Sequence, residues 1–91
     1  MKIYRAVFNY NNADTCEWEN WYAKRSVWYS RKELAEQHLE DLNKFKDYLK
    51  NEYFKDYQEC FKYYEPWIEE QEVNENFVPL EIDYKDVYKF D

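Results

Sequence analysis

The sequence predicts an α+β fold, in which a small antiparallel sheet of three to four strands carries one long or broken helix on one face. Three observations predict it. Residues that favour β-structure occur near both ends of the chain, and apolar residues repeat at helical spacing between them. The length of 91 residues allows one domain, residues 1–91, with a single small core. The expected order of elements is β-β-α(α)-β-β.

The first strand is predicted over residues 2–10, where β-forming side chains dominate. Apolar groups point to both sides of it, with Ile3 and Val7 on one side and Tyr4, Ala6, Phe8 and Tyr10 on the other. That pattern is typical of a central strand. After a turn over 11–15, a second strand is predicted over 25–29, returning beside the first.

The helix is predicted to begin at a capping box formed by Ser30 and Glu33. Apolar groups then recur in steps of three and four, at Leu34, His38, Leu42, Phe45, Leu49, Tyr53, Tyr57, Phe61 and Tyr64. One unbroken helix over 31–64 would measure about 50 Å, which is too long for a compact domain of this size. We expect it to break near Lys50–Asn51, or to project against a partner.

Pro66 ends the helical pattern because the residue before a proline is driven out of the α region. Residues 67–73 have a charged middle that suits an edge strand. A turn is predicted over 74–76. Residues 78–84 alternate apolar and polar side chains, which predicts a further strand.

The sequence contains no glycine, which excludes the P-loop, the dinucleotide fingerprint, the nucleophile elbow and the EF-hand loop. No apolar run reaches the ~20 residues that span a bilayer, and the first residues show no leader pattern. We therefore expect a cytoplasmic protein that does not enter a membrane.

Two cysteines are too few for a disulfide scaffold or a structural zinc site. We expect Cys16 and Cys60 to be reduced, with Cys60 in the core, and the single histidine, His38, to be packed rather than catalytic. We predict no enzyme activity, no catalytic residue, no metal and no cofactor. A carboxylate-only cation site is left open, among Glu69, Glu70, Glu72 and Glu75.

Charge is distributed unevenly along the chain. Residues 1–64 hold 11 acidic and 11 basic residues, whereas residues 65–91 hold 9 acidic and 2 basic ones, so 2 − 9 = −7 is the whole net charge. Carboxylates two apart on a strand lie about 6.6 Å apart, close to the spacing of phosphates along DNA. The acidic region therefore fits mimicry of nucleic acid, and the alternative is an ordinary solvated face. The predicted partner-binding residues are Glu69, Glu70, Glu72, Glu75, Glu81 and Asp83, with Trp67 as an apolar anchor.

Aromatic residues make up 23% of the chain, more rings than one small core can bury. Several must reach the surface, where Tyr, Trp and Phe favour interface centres. Four tryptophans are candidates: Trp18, Trp21, Trp28 and Trp67.

The run from Val27 to Glu36, a strand feeding a capped helix, and the later run from Trp67 to Val73 resemble small proteins of phages and mobile elements. Small size, frequent Asn, Lys and Tyr, and a concentrated acidic region are also similar to anti-CRISPR proteins and other phage inhibitors of host defence. The resemblance implies a non-enzymatic inhibitor acting in the host cytoplasm. These families share no general sequence signature, so no functional residue is carried over.

The leading hypothesis is a protein-binding inhibitor whose acidic C-terminal third occupies a basic, nucleic-acid-binding groove of a host protein, for example a CRISPR effector. Direct binding of nucleic acid is disfavoured because phosphate contacts require Lys and Arg. The alternative is an assembly module that acts through the long helix, as a homodimer or a docking element. A third hypothesis is a ligand-binding protein or enzyme built on an aromatic pocket.

Overall fold

A computed structural model describes residues 1–11, 21–74 and 76. Its strands are β1 (Lys2–Asn11), β2 (Trp21–Arg25) and β3 (Trp67–Glu72), and its α-helix is α1 (Lys32–Tyr48). The strands form an antiparallel sheet in the order β2-β1-β3. An α+β fold is thereby confirmed. The strand predicted over 78–84 lies outside the described residues.

The central position of β1 is confirmed, and both of its faces bury apolar groups. Ala6, Phe8 and Tyr10 pack into a core cluster with Leu42 and Phe45 of α1. The opposite side of β1 also buries apolar groups, at Ile3 and Val7. The alternation of the sequence was sufficient to assign these faces, because side chains of a strand point to opposite sides in turn.

The prediction for the second strand was wrong by four residues. β2 ends at Arg25, whereas the predicted strand began there. The reason is Ser26, whose hydroxyl accepts the N–H of Ala6 at 3.0 Å and so takes the place of a backbone carbonyl in the ladder. The chain rejoins β1 only at Tyr29, whose backbone exchanges hydrogen bonds of 2.8 and 2.7 Å with Tyr4.

Helix α1 begins one residue later than a Ser30 cap requires. Arg31 is the N-cap, with extended backbone and no side-chain capping hydrogen bond, so the helix does not begin at the predicted Ser30 cap. The bridge between Tyr29 and Tyr4 holds the chain extended at this point, and the helix begins beyond it. Among the described residues, no helix is long and apolar enough to cross a bilayer.

The helix breaks where the sequence predicted, near Lys50–Asn51. A π-helical turn, Leu49–Tyr53, follows α1, and its closing hydrogen bond runs from the Phe54 N–H to the Leu49 carbonyl at 2.8 Å. The wider turn inserts one residue into the helical repeat. As a result Phe54 is 4% exposed in the core, while Tyr53, which the apolar stripe predicted to be buried, is 54% exposed.

The apolar stripe of α1 is used within the chain, since Ala35, His38, Leu42 and Phe45 are all buried. Beyond the break, Tyr57 and Tyr64 are exposed, so the predicted helical stripe does not continue to 64. The assembly hypothesis depended on a long helix with a free apolar face. The described part of the chain offers no such helix.

A short 3₁₀ turn, Gln58–Cys60, leads into residues 61–64, which we call the return segment. The return segment runs antiparallel to the end of β1, through the bridge between Tyr10 and Tyr63 and the hydrogen bond from the Tyr64 N–H to the Asn9 carbonyl. Cys60 is buried, as predicted. It is also disulfide-bonded, which corrects the expectation of a reduced thiol. The chain's other cysteine is Cys16, outside the described residues.

Candidate functional site

The predicted acidic site lies in part on β3, which forms one edge of the described sheet. Ile68 faces the core cluster under α1, and side chains alternate along a strand, so Glu70 and Glu72 share its side. Glu69 points to the opposite side, together with its β1 partner Arg5. The three carboxylates are therefore divided between two faces of the sheet.

Each of these carboxylates pairs with a cation of β1 or of the chain's first residue. Arg5 binds both oxygens of Glu69, with its Nη2 3.1 Å from Oε1. The Nζ of Lys2 lies 3.4 Å from Glu70, and the N-terminal ammonium lies 2.9 Å from Glu72. The antiparallel register of β1 and β3 sets cations directly beside the acidic residues. This strand therefore presents ion pairs rather than a bare negative patch.

Two surface ion pairs, one of them on β3, shift the pKa of one of their members. A hydrogen bond from the N-terminal ammonium, helped by its charge, holds the pKa of Glu72 below its usual value. Away from β3, the hydrogen bond between Lys46 and Glu65, at 2.7 Å, raises the pKa of the Lys46 ammonium. In both cases the charged form is favoured by its partner.

The remaining predicted acidic residues, Glu75, Glu81 and Asp83, lie outside the described residues. Their share of the charge follows from the sequence. The described ranges hold 11 Lys and Arg against 12 Asp and Glu, so 11 − 12 = −1, and the rest of the chain holds 2 against 8, so 2 − 8 = −6. Half of that, 2 − 5 = −3, belongs to residues 75 and 77–91, and the other half to residues 12–20. Most of the acidic surplus thus belongs to the segments without a described position.

The tryptophan predictions have different outcomes. Trp67, the predicted anchor, is partly exposed at the start of β3. Trp28 stacks under the Arg5 guanidinium, 4.2 Å from its ring centroid, and so completes the environment of the Arg5–Glu69 pair. Trp18 lies outside the described residues. Trp21 lies at the other edge of the sheet and belongs to a second candidate site.

That second site is an open groove of about 390 Å³ at the β2 side of the sheet. Trp21, Ala23 and Arg25 pair with Asn11, Asn9 and Val7 of β1, so they lie on the face away from α1. Ala23 has a small side chain between two large ones, which leaves a depression in this row. The groove is lined by Asn9, Trp21, Tyr22, Ala23, Arg25 and Tyr64.

Two aromatic rings that are widely exposed to solvent form one end of the groove. The rings of Trp21 and Tyr64 lie 5.5 Å apart between centroids, and they are 47% and 63% exposed. Tyr64 reaches Trp21 because the return segment is hydrogen-bonded to Asn9 on β1. These rings remain exposed because the core is already filled by other aromatic residues.

Two polar groups of the groove have unused bonding capacity. Arg25 is exposed and takes part in none of the ion pairs between described residues. The side-chain oxygen of Asn9 is buried and accepts no hydrogen bond from any described residue. A buried acceptor without a donor costs free energy, so Asn9 is a second lining residue whose hydrogen bonding is incomplete among the described residues.

Potential catalytic and metal-binding groups show no comparable arrangement. His38 is buried, as predicted, and its Nε2 lies 2.8 Å from the hydroxyl of Tyr29, which stacks on its ring. The contact between the two rings lies within the core. Within the described ranges, no three His, Cys, Asp or Glu residues cluster closely enough to hold a metal ion.

Comparison with protein-family models, curated proteins and solved structures yields no match for this chain. The candidate site therefore depends on its own geometry.

Sequence reasoning named Trp21 but missed its neighbours in the groove. The alternating order of Trp21, Ala23 and Arg25 would have grouped them on one face, if the second strand had been placed over 21–25. Asn9 carries no signal in the sequence, because only the tertiary contacts show that its oxygen is buried without a donor.

Proposed function

We propose that this chain is a non-enzymatic protein-binding module and that the groove beside β2 is its contact surface. The observation that carries the proposal is that the exposed Trp21 and Tyr64 rings lie beside Arg25 and Asn9 in one groove. The Arg25 guanidinium and the Asn9 Oδ1 have no partner among the described residues. Aromatic residues and arginine dominate the binding energy of protein interfaces. A partner that covers this groove would desolvate the rings and satisfy both polar groups.

The openness of the groove favours a macromolecular partner over a small metabolite. Small-molecule sites usually bury most of the ligand surface, whereas this groove contacts a ligand from one side only. A partner protein brings its own surface to cover the other side. This argument sets the groove apart from the enclosed aromatic pocket that a ligand-binding protein or enzyme would use.

A second candidate is the acidic inhibitor of a nucleic-acid-binding host protein. It is favoured by the acidic surplus of residues 75 and 77–91, which hold 5 acidic residues against 2 basic ones, so 2 − 5 = −3. On β3 itself the carboxylates already have partners, although exposed ion pairs contribute only ~0.5 kcal/mol and can exchange. Phosphate mimicry thus depends chiefly on residues such as Glu81 and Asp83. Inhibition of host defence by a protein of a phage or mobile element would correspond to this second candidate.

The two candidates are separated by a pair of double variants, Trp21→Ala with Tyr64→Ala, and Glu70→Lys with Glu72→Lys. Each is used to capture proteins from a lysate of the source organism. The protein retained by the wild type is identified, purified and titrated against each variant by calorimetry. Circular dichroism confirms that each variant is folded before binding is compared.

We expect the groove variant to lose at least tenfold in affinity, because two interface aromatic rings are removed, and the β3 variant to stay within threefold of wild type. Loss of binding only in the β3 variant, or in a further variant that adds Glu81→Lys, would transfer the function to the acidic region. Equal affinity of all variants would refute both candidates.

A further inference from the structure

We propose that the groove binds an extended peptide segment of the partner, with a carboxylate side chain at one end and an apolar side chain at the other. This inference rests on the proposed function and specifies the chemistry of the partner. It follows from three features of the groove, each of which sets one requirement for the ligand.

The first requirement is a carboxylate, and it comes from Arg25. Its guanidinium is exposed at one end of the groove and forms no ion pair with a described residue. Arg5, on the same face of the sheet, binds the Glu69 carboxylate through both oxygens. An Asp or Glu of the partner would give Arg25 the same two-point contact.

The second requirement is an N–H donor, and it comes from Asn9. Asn9 lines the groove beside Ala23 on the neighbouring strand, and its buried Oδ1 has no hydrogen-bond donor in the described chain. The backbone of an extended peptide presents N–H groups at regular intervals. One of them would meet this oxygen once the Asn9 side chain turns towards the groove, where the Ala23 side chain ends at Cβ.

The third requirement is an apolar side chain, and it comes from the Trp21 and Tyr64 rings at the other end. Trp21 and Arg25 are four residues apart on one strand, so their Cα atoms lie about 13 Å from each other. A ligand in extended conformation spans that length with about five residues. The apolar and acidic side chains of the ligand therefore belong about four positions apart.

A nucleotide or single-stranded nucleic acid could also stack on these rings, but the charge favours the peptide. The groove contains one arginine among its lining residues, and the chain carries a net charge of −7. A single carboxylate needs one cation, whereas a run of phosphates needs several. Binding of a nucleotide in the groove would therefore contradict the proposal.

The test uses the full chain and a displayed library of random heptapeptides. Selected peptides are synthesised and titrated by calorimetry against wild type, Arg25→Gln and Asn9→Ala. Arg31→Gln serves as the matched control, because it removes an exposed arginine that lies outside the groove, before α1. Adenosine triphosphate and an oligothymidine are titrated in parallel.

We expect the selected peptides to share an acidic residue about four positions from an aromatic or aliphatic one. Arg25→Gln should weaken their binding about tenfold, and Arg31→Gln should leave it unchanged. Asn9→Ala should weaken binding while raising the melting temperature of the free protein, because it removes an unsatisfied buried acceptor. A merely structural role for Asn9 would move both quantities in the same direction.

Peptides that bind through Trp21 and Tyr64 but lack an acidic residue, or that tolerate Arg25→Gln, would refute the inference and leave the proposed function standing. Tight binding of the nucleotide probes, abolished by the same variants, would also refute it. If no library peptide binds and the captured partner tolerates loss of both rings, the inference and the proposed function fail together.

Discussion

The β3 side and the β2 side of the sheet are built on the same central strand, yet they differ in how their polar groups are satisfied. At β3, Arg5 is held between the Trp28 ring and the Glu69 carboxylate. At β2, Arg25 lies on the same face with no ion-pair partner among the described residues. Among the described residues, the arginine of the β3 side has an ion-pair partner and that of the β2 side does not.

The difference shows why charge counted along a sequence is a poor guide to a binding surface. The acidic residues of β3 were predicted to bind a partner because negative charge is concentrated there, but the antiparallel register sets β1 cations beside them. No binding role was predicted for Arg25, because a single arginine gives no distinctive pattern in a sequence. A group that remains unsatisfied after folding is the better indicator of a partner, since its desolvation cost is already partly incurred.

The largest expected effect concerns the covalent support of the return segment, which pairs with β1 on the edge opposite to β2. The return segment carries Tyr64 to the groove, and it follows directly after the disulfide-bonded Cys60. Cys60→Ala should lower the free energy of unfolding by about 3 kcal/mol, because a disulfide restricts the unfolded chain. Urea denaturation of the wild type with and without a reducing agent measures the same quantity.

The Cys60→Ala variant itself is the control for the reducing agent, which should not destabilise it further. If reduction leaves the unfolding midpoint of the wild type unchanged, the disulfide does not stabilise the fold.

An intermediate effect comes from making the same substitution at the two arginines. Arg5→Ala should lower the free energy of unfolding by about 2 kcal/mol, because it removes a two-point ion pair and a cation–π contact that are partly buried. Arg25→Ala should change stability by less than ~0.5 kcal/mol, since exposed residues without partners contribute little. If urea unfolding shows that both variants lose the same free energy of unfolding, the two arginines do not differ in how far their contacts stabilise the fold.

The smallest expected effect is a pH dependence on the β3 side. Because the folded state lowers the pKa of Glu72, its pair with the N-terminus stabilises the fold above the usual glutamate pKa. That contribution is lost as the pH falls through the lowered value. Glu72→Gln should therefore reduce stability slightly at pH 7 and have no effect at pH 2. Thermal unfolding at both pH values measures this, and an equal change at both would exclude the ion pair as the cause.

The sequence was most informative where one local pattern determined the outcome. The alternation in β1 and the apolar repeat of α1 predicted the central strand and the buried face of the helix. Failures occurred where a distant contact prevailed. Ser26 ended β2 by bonding Ala6, and the bridge from Tyr29 to Tyr4 moved the start of the helix beyond Ser30.

The sequence by itself determined the α+β class, the central strand, the break near Lys50–Asn51 and the burial of Cys60 and His38. Those features follow from periodicity and residue type, which are properties of neighbouring residues. Only the tertiary structure decided which charges are neutralised and which polar atoms lack a partner. The reason is that pairing depends on register between strands: Arg5 lies opposite Glu69, which is 64 positions away in the chain, and no local pattern encodes such a contact.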